Sequence, residues 1–143
     1  GPRLRDDFSL SRIKISNAAE DLKSSQRMFE LTGGTHAAAF FSEDCKLISL
    51  REDIGRHNAL DKLVGSYIRQ PNGPAPSLIF VSGRASFELV HKCIRLGVPI
   101  MASVGAASSL AVDLAIEHNL TLLSFVRDNR MLIHSAPHRI SNY

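Results

Sequence analysis

The stretch LIFVSGRASFELVHKCIRLGVPIMASV, Leu78 to Val104, decides the fold. Leu78 to Val81 is an unbroken apolar run, the pattern of a strand covered on both faces. Ser82-Gly83-Arg84-Ala85-Ser86 is a small, polar turn. Phe87 to Leu96 then reads as a helix, closed by Gly97 because glycine reaches the left-handed C-cap conformation without strain. Pro99 to Val104 is a second buried strand. Strand, crossover helix and strand in this order give a right-handed unit with parallel strands.

The same alternation continues toward the C-terminus. Ser108 or Ser109 caps a helix over Leu110 to His118, and Leu120 to Arg127 is a strand. Arg130 to His134 forms another after the turn Asp128-Asn129. Toward the N-terminus, Gln70 to Ser77 is a proline-rich loop. Asn58 to Arg69 is an amphipathic helix with Ala59, Leu60, Leu63, Val64, Tyr67 and Ile68 on its apolar face. His36 to Phe41 and Cys45 to Arg51 flank Ser42-Glu43-Asp44 as a hairpin. Asn17 caps a helix that runs through Leu22 and Met28 to Gly33-Gly34. Residues 1–16 read as a tail or edge segment, leaving 17–143 as the domain. The order predicts an α/β fold, a mixed and mostly parallel sheet between helical layers.

A chain of 143 residues is one domain by size, with 44% apolar and 22% charged residues. That is the composition of an ordinary globular protein. No apolar run is long enough to span a bilayer, and no secretory pattern opens the chain. The chain opens on Gly1-Pro2 rather than methionine, as a cut or processed piece would. A net charge of +3 permits an anionic ligand. No block of Lys and Arg with interleaved aromatics marks a nucleic-acid groove. Cys45 and Cys93 form no CxxC and read as reduced thiols of a cytoplasmic protein.

Three strand-to-helix junctions carry the chemistry. Glu52 to Lys62 packs Asp53, Gly55, Arg56, His57 and Asn58 into one turn. Arg56 offers a planar fork for phosphate or carboxylate, and His57 a proton carrier or donor. Equally, Asp53 and Asn58 could cap the helix while Arg56 and His57 face water. Ser82 to Ser86 presents backbone N–H groups and side-chain donors to an anion. Its alternative is a capping turn, with Ser86 or Ser82 as N-cap and Glu88 completing a capping box. Gly105 to Ser109 is a run of small residues, fitting a cramped wall or a tight helix start. In a parallel sheet all three junctions share one edge, the edge where α/β folds bind ligands.

A zinc centre has little support. The six histidines are dispersed, and none belongs to HExxH or to a CxxC cluster. Cys93 falls on an apolar helix face, and Cys45 has only Lys46 as a cationic neighbour.

These residues resemble a known family. Thr32 to Ala39 is similar to its TGGxHAAA segment, Glu52 to Lys62 to EDIGRHNALDK, and Ser82 to Glu88 to SGRxSFE. Ser108 to Val112 and Leu120 to Leu122 resemble later blocks. The family is that of the formate dehydrogenase accessory protein FdhD, and the resemblance runs from about Ala18 to Ile140.

The resemblance implies a three-layer αβα sandwich of cytidine-deaminase type. It implies a sulfur carrier, or sulfurtransferase. Such a protein takes persulfide sulfur from a cysteine desulfurase and passes it to the molybdenum bis(molybdopterin guanine dinucleotide) cofactor before formate dehydrogenase receives it. His57-Asn58-Ala59 and Ser82 to Ser86 take the places of the deaminase zinc motifs without thiolates or catalytic glutamate, so zinc deamination should be lost. The cofactor-binding stretch maps onto Phe125, Val126, Arg127, Asp128, Asn129 and Arg130, with Arg127 and Arg130 suited to pyrophosphate. Arg56, His57, Ser82, Gly83 and Arg84 are the further candidates, and GDP is the expected mimic of the ligand.

Two departures stand out. The family's sulfur-carrying cysteine lies in a CxxC-type loop ahead of the helix at Ala18, and neither Cys45 nor Cys93 aligns with it. This chain is therefore expected to bind the cofactor without transferring sulfur by itself. Val104-Gly105-Ala106-Ala107 also stands where the family reads like SAP. A homodimer is the family expectation. The competing reading is a nonenzymatic module that docks on the desulfurase or on formate dehydrogenase.

Overall fold

The structure is a computed structural model that describes residues 3–25, 35–69 and 75–142. A short strand β1 (Leu10–Ser11) leads directly into helix α1 (Arg12–Ser25). Strands β2 (His36–Phe41) and β3 (Leu47–Asp53) form the hairpin, followed by helix α2 (Arg56–Arg69). Then come β4 (Leu78–Val81), α3 (Phe87–Leu96), β5 (Ile100–Ser103), α4 (Ser109–Glu117), β6 (Thr121–Arg127) and β7 (Arg130–Ile133). A 3-10 turn, Pro137–Arg139, precedes β8 (Ile140–Ser141), which pairs in parallel with β1.

The main sheet has the order β3-β2-β4-β5-β6-β7. Strands β4, β5 and β6 are parallel, as the crossover pattern predicts. Strand β2 is antiparallel to both β3 and β4, so β3 runs in the same direction as the parallel trio. Strand β7 returns antiparallel to β6. The C-terminal ends of β3, β4, β5 and β6 and the N-terminal ends of β2 and β7 therefore lie along one edge.

Each face of the sheet has its own core. Ala38, Phe40, Ile79, Val81, Met101 and Leu122 point toward α2, α3 and α4. Ala37, Ala39, Phe41, Phe80, Ala102 and Leu123 point toward Ile15, Ala18 and Leu22 of α1. The period-2 alternation sets these faces, and burial on both sides explains why β4 and β5 lack polar residues until Ser103. This is the three-layer αβα sandwich.

The beginning of the chain differs from its sequence reading. The helix starts at Arg12, five residues ahead of Asn17, so Asn17 lies inside it and is not its cap. Ile15 and Ser16 are buried on its inner face, and Leu4 and Leu10 are buried as well. The charges at Arg3, Arg5, Asp6 and Asp7 had hidden this apolar spacing. The expected helix end at Gly33-Gly34 and most of the loop after Arg69 lie outside the described residues. The 3-10 turn and β8 had no counterpart in the sequence reading; the other expected elements stand within three residues of their sequence positions, and Ile68, expected on the apolar face of α2, is exposed.

An interior arginine secures the ends of the chain. Arg139 is completely buried. Its guanidinium donates to the carbonyls of Arg5 and Asn119, both at 2.6 Å, and to Asp6 Oδ1 at 2.6 Å. Asp6 Oδ1 also receives Asn119 Nδ2 at 3.2 Å and lies 2.7 Å from His138 Nε2. This clasp sits at the N-terminal ends of β5 and β6, away from the ligand edge.

Candidate functional site

The second and third junctions are joined backbone to backbone. Gly105 N–H donates to the Gly83 carbonyl at 2.9 Å, and Ala85 N–H to the Ala106 carbonyl at 2.9 Å. Ala85 and Ala107 form a parallel bridge beyond the ends of β4 and β5. Small residues are required because a Cβ on Gly105 would lie 2.9 Å from the Gly83 oxygen. Ser86 caps α3 by accepting from Leu89 N–H, and Ser108 caps α4 by accepting from Ala111 N–H. Leu89 holds the N3 position, so Glu88 at N2 makes no capping box; it faces the positive end of the helix instead. Ser82 is no cap. Its hydroxyl accepts from Ala37 N–H at 2.9 Å and ties β4 to the start of β2.

A cleft of about 380 Å³ opens beside these turns, between the sheet edge and α1. Helix α1 contributes Ala19, Glu20 and Lys23, and the sheet contributes Thr35, His36, Ser82 and Val104. Val126, Arg127 and Asp128 complete the wall. Thr35 is 4% exposed, and its buried hydroxyl has no hydrogen-bond partner among the described residues. A buried hydroxyl without a partner costs free energy unless a ligand supplies one. Gly83 backs the cleft, since a Cβ there would stand 3.1 Å from His36 Nδ1. Two cations and two carboxylates around one cleft match a ligand with both anionic groups and N–H donors.

A second cleft, about 530 Å³, shares Arg127 with the first. Arg12, Phe125, Arg130, Met131 and Leu132 line the rest of it. The β6–β7 turn lies between the clefts. Asp128 and Asn129 have positive φ, at 50° and 62°, as the centre of a two-residue hairpin turn favours, while Phe125 at 53° sits where the β6–β7 register shifts. Asn129 N–H donates to Ser16 Oγ at 2.8 Å, which fastens the turn to α1.

In the first junction Asp53 closes a short turn ahead of α2. Asp53 Oδ1 accepts from Gly55 N–H at 3.1 Å, and Asp53 Oδ2 pairs with Lys62 Nζ at 2.6 Å. The Lys62 hydrogen bond, followed by that of Gly55, holds the Asp53 carboxyl below the usual range. Arg56 and His57 open α2 on the opposite side of the sheet from α1. His57 is half-buried and lines neither cleft.

Of the residues singled out in the sequence, the structure gathers Val126, Arg127, Asp128 and Ser82 in the first cleft, with Gly83 behind them. Phe125 and Arg130 fall in the second. Arg84 is exposed, Asn129 anchors the turn, and neither lines a cleft. Sequence reasoning missed Glu20, Lys23, Thr35 and Arg12. Thr35 and His36 belong to the TGGTHAAA block, which was a usable signal. Arg12 was hidden by reading residues 1–16 as a tail.

Neither cysteine has the environment of a reactive thiol. Cys93 is completely buried, and burial pushes its thiol well up. Burial likewise pushes Cys45 up to about 11. Both are protonated at neutral pH, and the thiolate is the reactive form. Among the described residues no group of three or more His, Cys, Asp and Glu could hold a metal ion. No described helix is long and apolar enough to cross a membrane.

Fold and site together define an αβα domain of the deaminase type with an arginine-lined groove at the C-terminal strand edge. Comparison with solved structures agrees on the fold. A guanine deaminase from Nitrosomonas europaea superposes with a TM-score of 0.54 at 13% identity, over 88% of this chain and 81% of that one. A Desulfotalea psychrophila protein, provisionally assigned as a formate dehydrogenase accessory protein, superposes at 0.89 with 31% identity, over 98% of this chain and 58% of that one. The sequence profile of the FdhD/NarQ family matches residues 1–141. The sulfur carrier protein FdhD of Streptomyces coelicolor is 48% identical over 89% of this chain and 45% of its own length. That of Nocardia farcinica is 51% identical over 92% of this chain and 48% of its own. The chain belongs to the FdhD/NarQ family. It spans about half the length of the curated relatives it matches.

Proposed function

We propose that this chain is the cofactor-binding portion of an FdhD-type sulfur carrier. In this reading the whole protein moves sulfur from a cysteine desulfurase to the molybdenum bis(molybdopterin guanine dinucleotide) cofactor destined for formate dehydrogenase. The groove at the strand edge holds that cofactor as substrate. Arg127, at the junction of the two clefts, faces its diphosphate, and Arg130 adds a second planar cation. The observation that carries the reading is the buried Thr35 hydroxyl, without a partner among the described residues, in the wall of a cleft that Arg127 also lines. Family membership supplies the sulfur role.

Sulfur transfer needs a cysteine that can hold a persulfide and reach the groove. Cys93 is sealed in the core under α3, and the Cys45 thiol is protonated at neutral pH. In this reading the transferring sulfur rides on neither of them. The residues of this chain bind and orient the acceptor.

Isothermal calorimetry with GDP tests the proposal. Saturable binding that weakens in Arg127→Gln is the expected result. No heat at millimolar GDP would count against a nucleotide site and favour a docking module for the desulfurase or for formate dehydrogenase.

A further inference from the structure

The two edges of the main sheet are finished differently. Strands β3 and β7 stand at its ends, and an edge strand presents a row of unpaired backbone groups. On β3 that row is capped. Ala37 donates its N–H to Ser82 Oγ and accepts from Ser82 N–H, both on the β4 side. Glu52 lies opposite Ala37, so Glu52 and Leu50 turn their backbone groups outward. Arg51 donates to the Leu50 carbonyl at 2.7 Å, and Lys62 Nζ to the Glu52 carbonyl at 3.3 Å.

Strand β7 has no such caps among the described residues. His134 N–H donates to the Leu122 carbonyl and Leu132 lies opposite Ser124, so both face β6. Met131 and Ile133 therefore turn their N–H and C=O groups outward. The second cleft runs along this row. Arg130, Met131 and Leu132 all line it. Side chains alternate between the faces of a strand, and three consecutive residues share one cleft where it follows the strand's edge. Leu132 is 52% exposed there. Arg12 reaches the cleft from α1, no carboxylate lines it, and among the described residues Arg12 makes no ion pair.

We propose that the β7 edge docks an extended, acidic segment of a protein partner by strand addition. Met131 and Ile133 pair with the backbone of the segment, Leu132 meets its apolar side chains, and Arg12 takes one of its carboxylates. The charge of the cleft favours an acidic segment over a second copy of this chain, which would bring the same arginines to the same edge. The proposal goes beyond the cofactor reading. It uses the outer edge of β7 and Arg12, and leaves Arg127 and Arg130 to the diphosphate.

The probe is a labelled synthetic peptide of about eight residues alternating Glu and Val, titrated with the 143-residue chain by fluorescence anisotropy. Saturable binding is expected, and none for a peptide alternating Lys and Val. Methylating alternate backbone nitrogens of the Glu-Val peptide keeps its charge but removes the N–H groups of one edge. Its affinity should fall about tenfold or more. Leu132→Glu and Arg12→Gln should each weaken the unmethylated peptide about fivefold and leave the thermal melt in place. Equal binding of methylated and unmethylated peptides would reduce the contact to charge alone and overturn strand addition. No binding of the Glu-Val peptide at about millimolar chain would overturn the docking site outright. A dimer in sedimentation that Leu132→Glu splits would give the edge to a second copy and overturn the acidic partner. No readout uses a nucleotide, so failure here leaves the cofactor reading standing.

Discussion

Gly105 N–H donates to the Gly83 carbonyl at 2.9 Å, and a Cβ on Gly105 would stand 2.9 Å from that same oxygen. The two turns touch backbone to backbone, so the obstacle cannot rotate away. Gly105→Ala removes unfolded-chain entropy worth about 0.4–1 kcal/mol in its favour. The forced backbone shift costs about 1–3 kcal/mol and should win. Gly83→Ala meets only the His36 ring, at 3.1 Å, and a side chain can turn aside. Urea titration should show a clear loss for Gly105→Ala and a smaller one for Gly83→Ala. Equal losses would mean that the close approach does not govern the site's wall.

Arg139 should be the least replaceable charge in the molecule. It is fully buried, and its donors satisfy the carbonyls of Arg5 and Asn119 as well as Asp6. Arg139→Met keeps much of the volume but leaves the carbonyls of Arg5 and Asn119 without the guanidinium donor. A loss of about 3–5 kcal/mol is expected in the urea-derived stability. Because the clasp lies at the far edge of the sheet, GDP affinity of the folded fraction should not change.

Two windows of acid destabilisation follow from the shifted groups. Burial lowers the pKa of His134, whose Nε2 lies 2.6 Å from Ser124 Oγ. A histidine lowered on folding gives its full contribution above its unfolded value of about 6.5, and loses it as pH falls toward the folded value. Asp6 is lowered first by its hydrogen bond to His138, with Arg139 and Asn119 adding to it. A lowered carboxyl stabilises above its unfolded pKa of about 3.9 and loses that as pH falls through the folded value. Urea midpoints measured from pH 8 to pH 2.5 should therefore fall in two steps. His134→Gln should flatten the first step, and Asp6→Asn should shrink the second, to which the lowered Asp53 also contributes. A single step unaffected by either variant would contradict both assignments.

Much of the fold was legible because β4, α3, β5 and α4 are fixed by local signals. Uninterrupted apolar runs, Gly97 and the caps Ser86 and Ser108 all act within a few residues of themselves. The start of α1 was not legible. Its helical stripe of Ile15, Ala18, Ala19 and Leu22 begins among charges, and Asn17 imitates a cap while sitting mid-helix. The site was half legible. Asp128-Asn129 announces a turn by composition, while in the stretch Glu52 to Lys62 the structure engages Asp53 internally, with Gly55 and Lys62. Which α1 residues face the sheet edge depends on tertiary packing, so Lys23 and Arg12 could not be assigned to a cleft from spacing alone.

Thr35 separates a binding role from a packing role most cleanly. Its hydroxyl is buried and lacks a partner among the described residues, so on that geometry the free protein bears the desolvation cost. Valine has nearly the same shape without the hydroxyl. Thr35→Val should raise the stability of the ligand-free chain by about 1 kcal/mol, where most buried substitutions lower it. If the hydroxyl exists to meet a ligand, the same change should weaken cofactor or GDP binding several-fold, since one hydrogen bond is worth about 0.5–1.5 kcal/mol. Thermal melts and calorimetry on the same preparation check both arms. Higher stability with unchanged affinity would remove Thr35 from the site, and lower stability would mean that the hydroxyl has an internal partner after all.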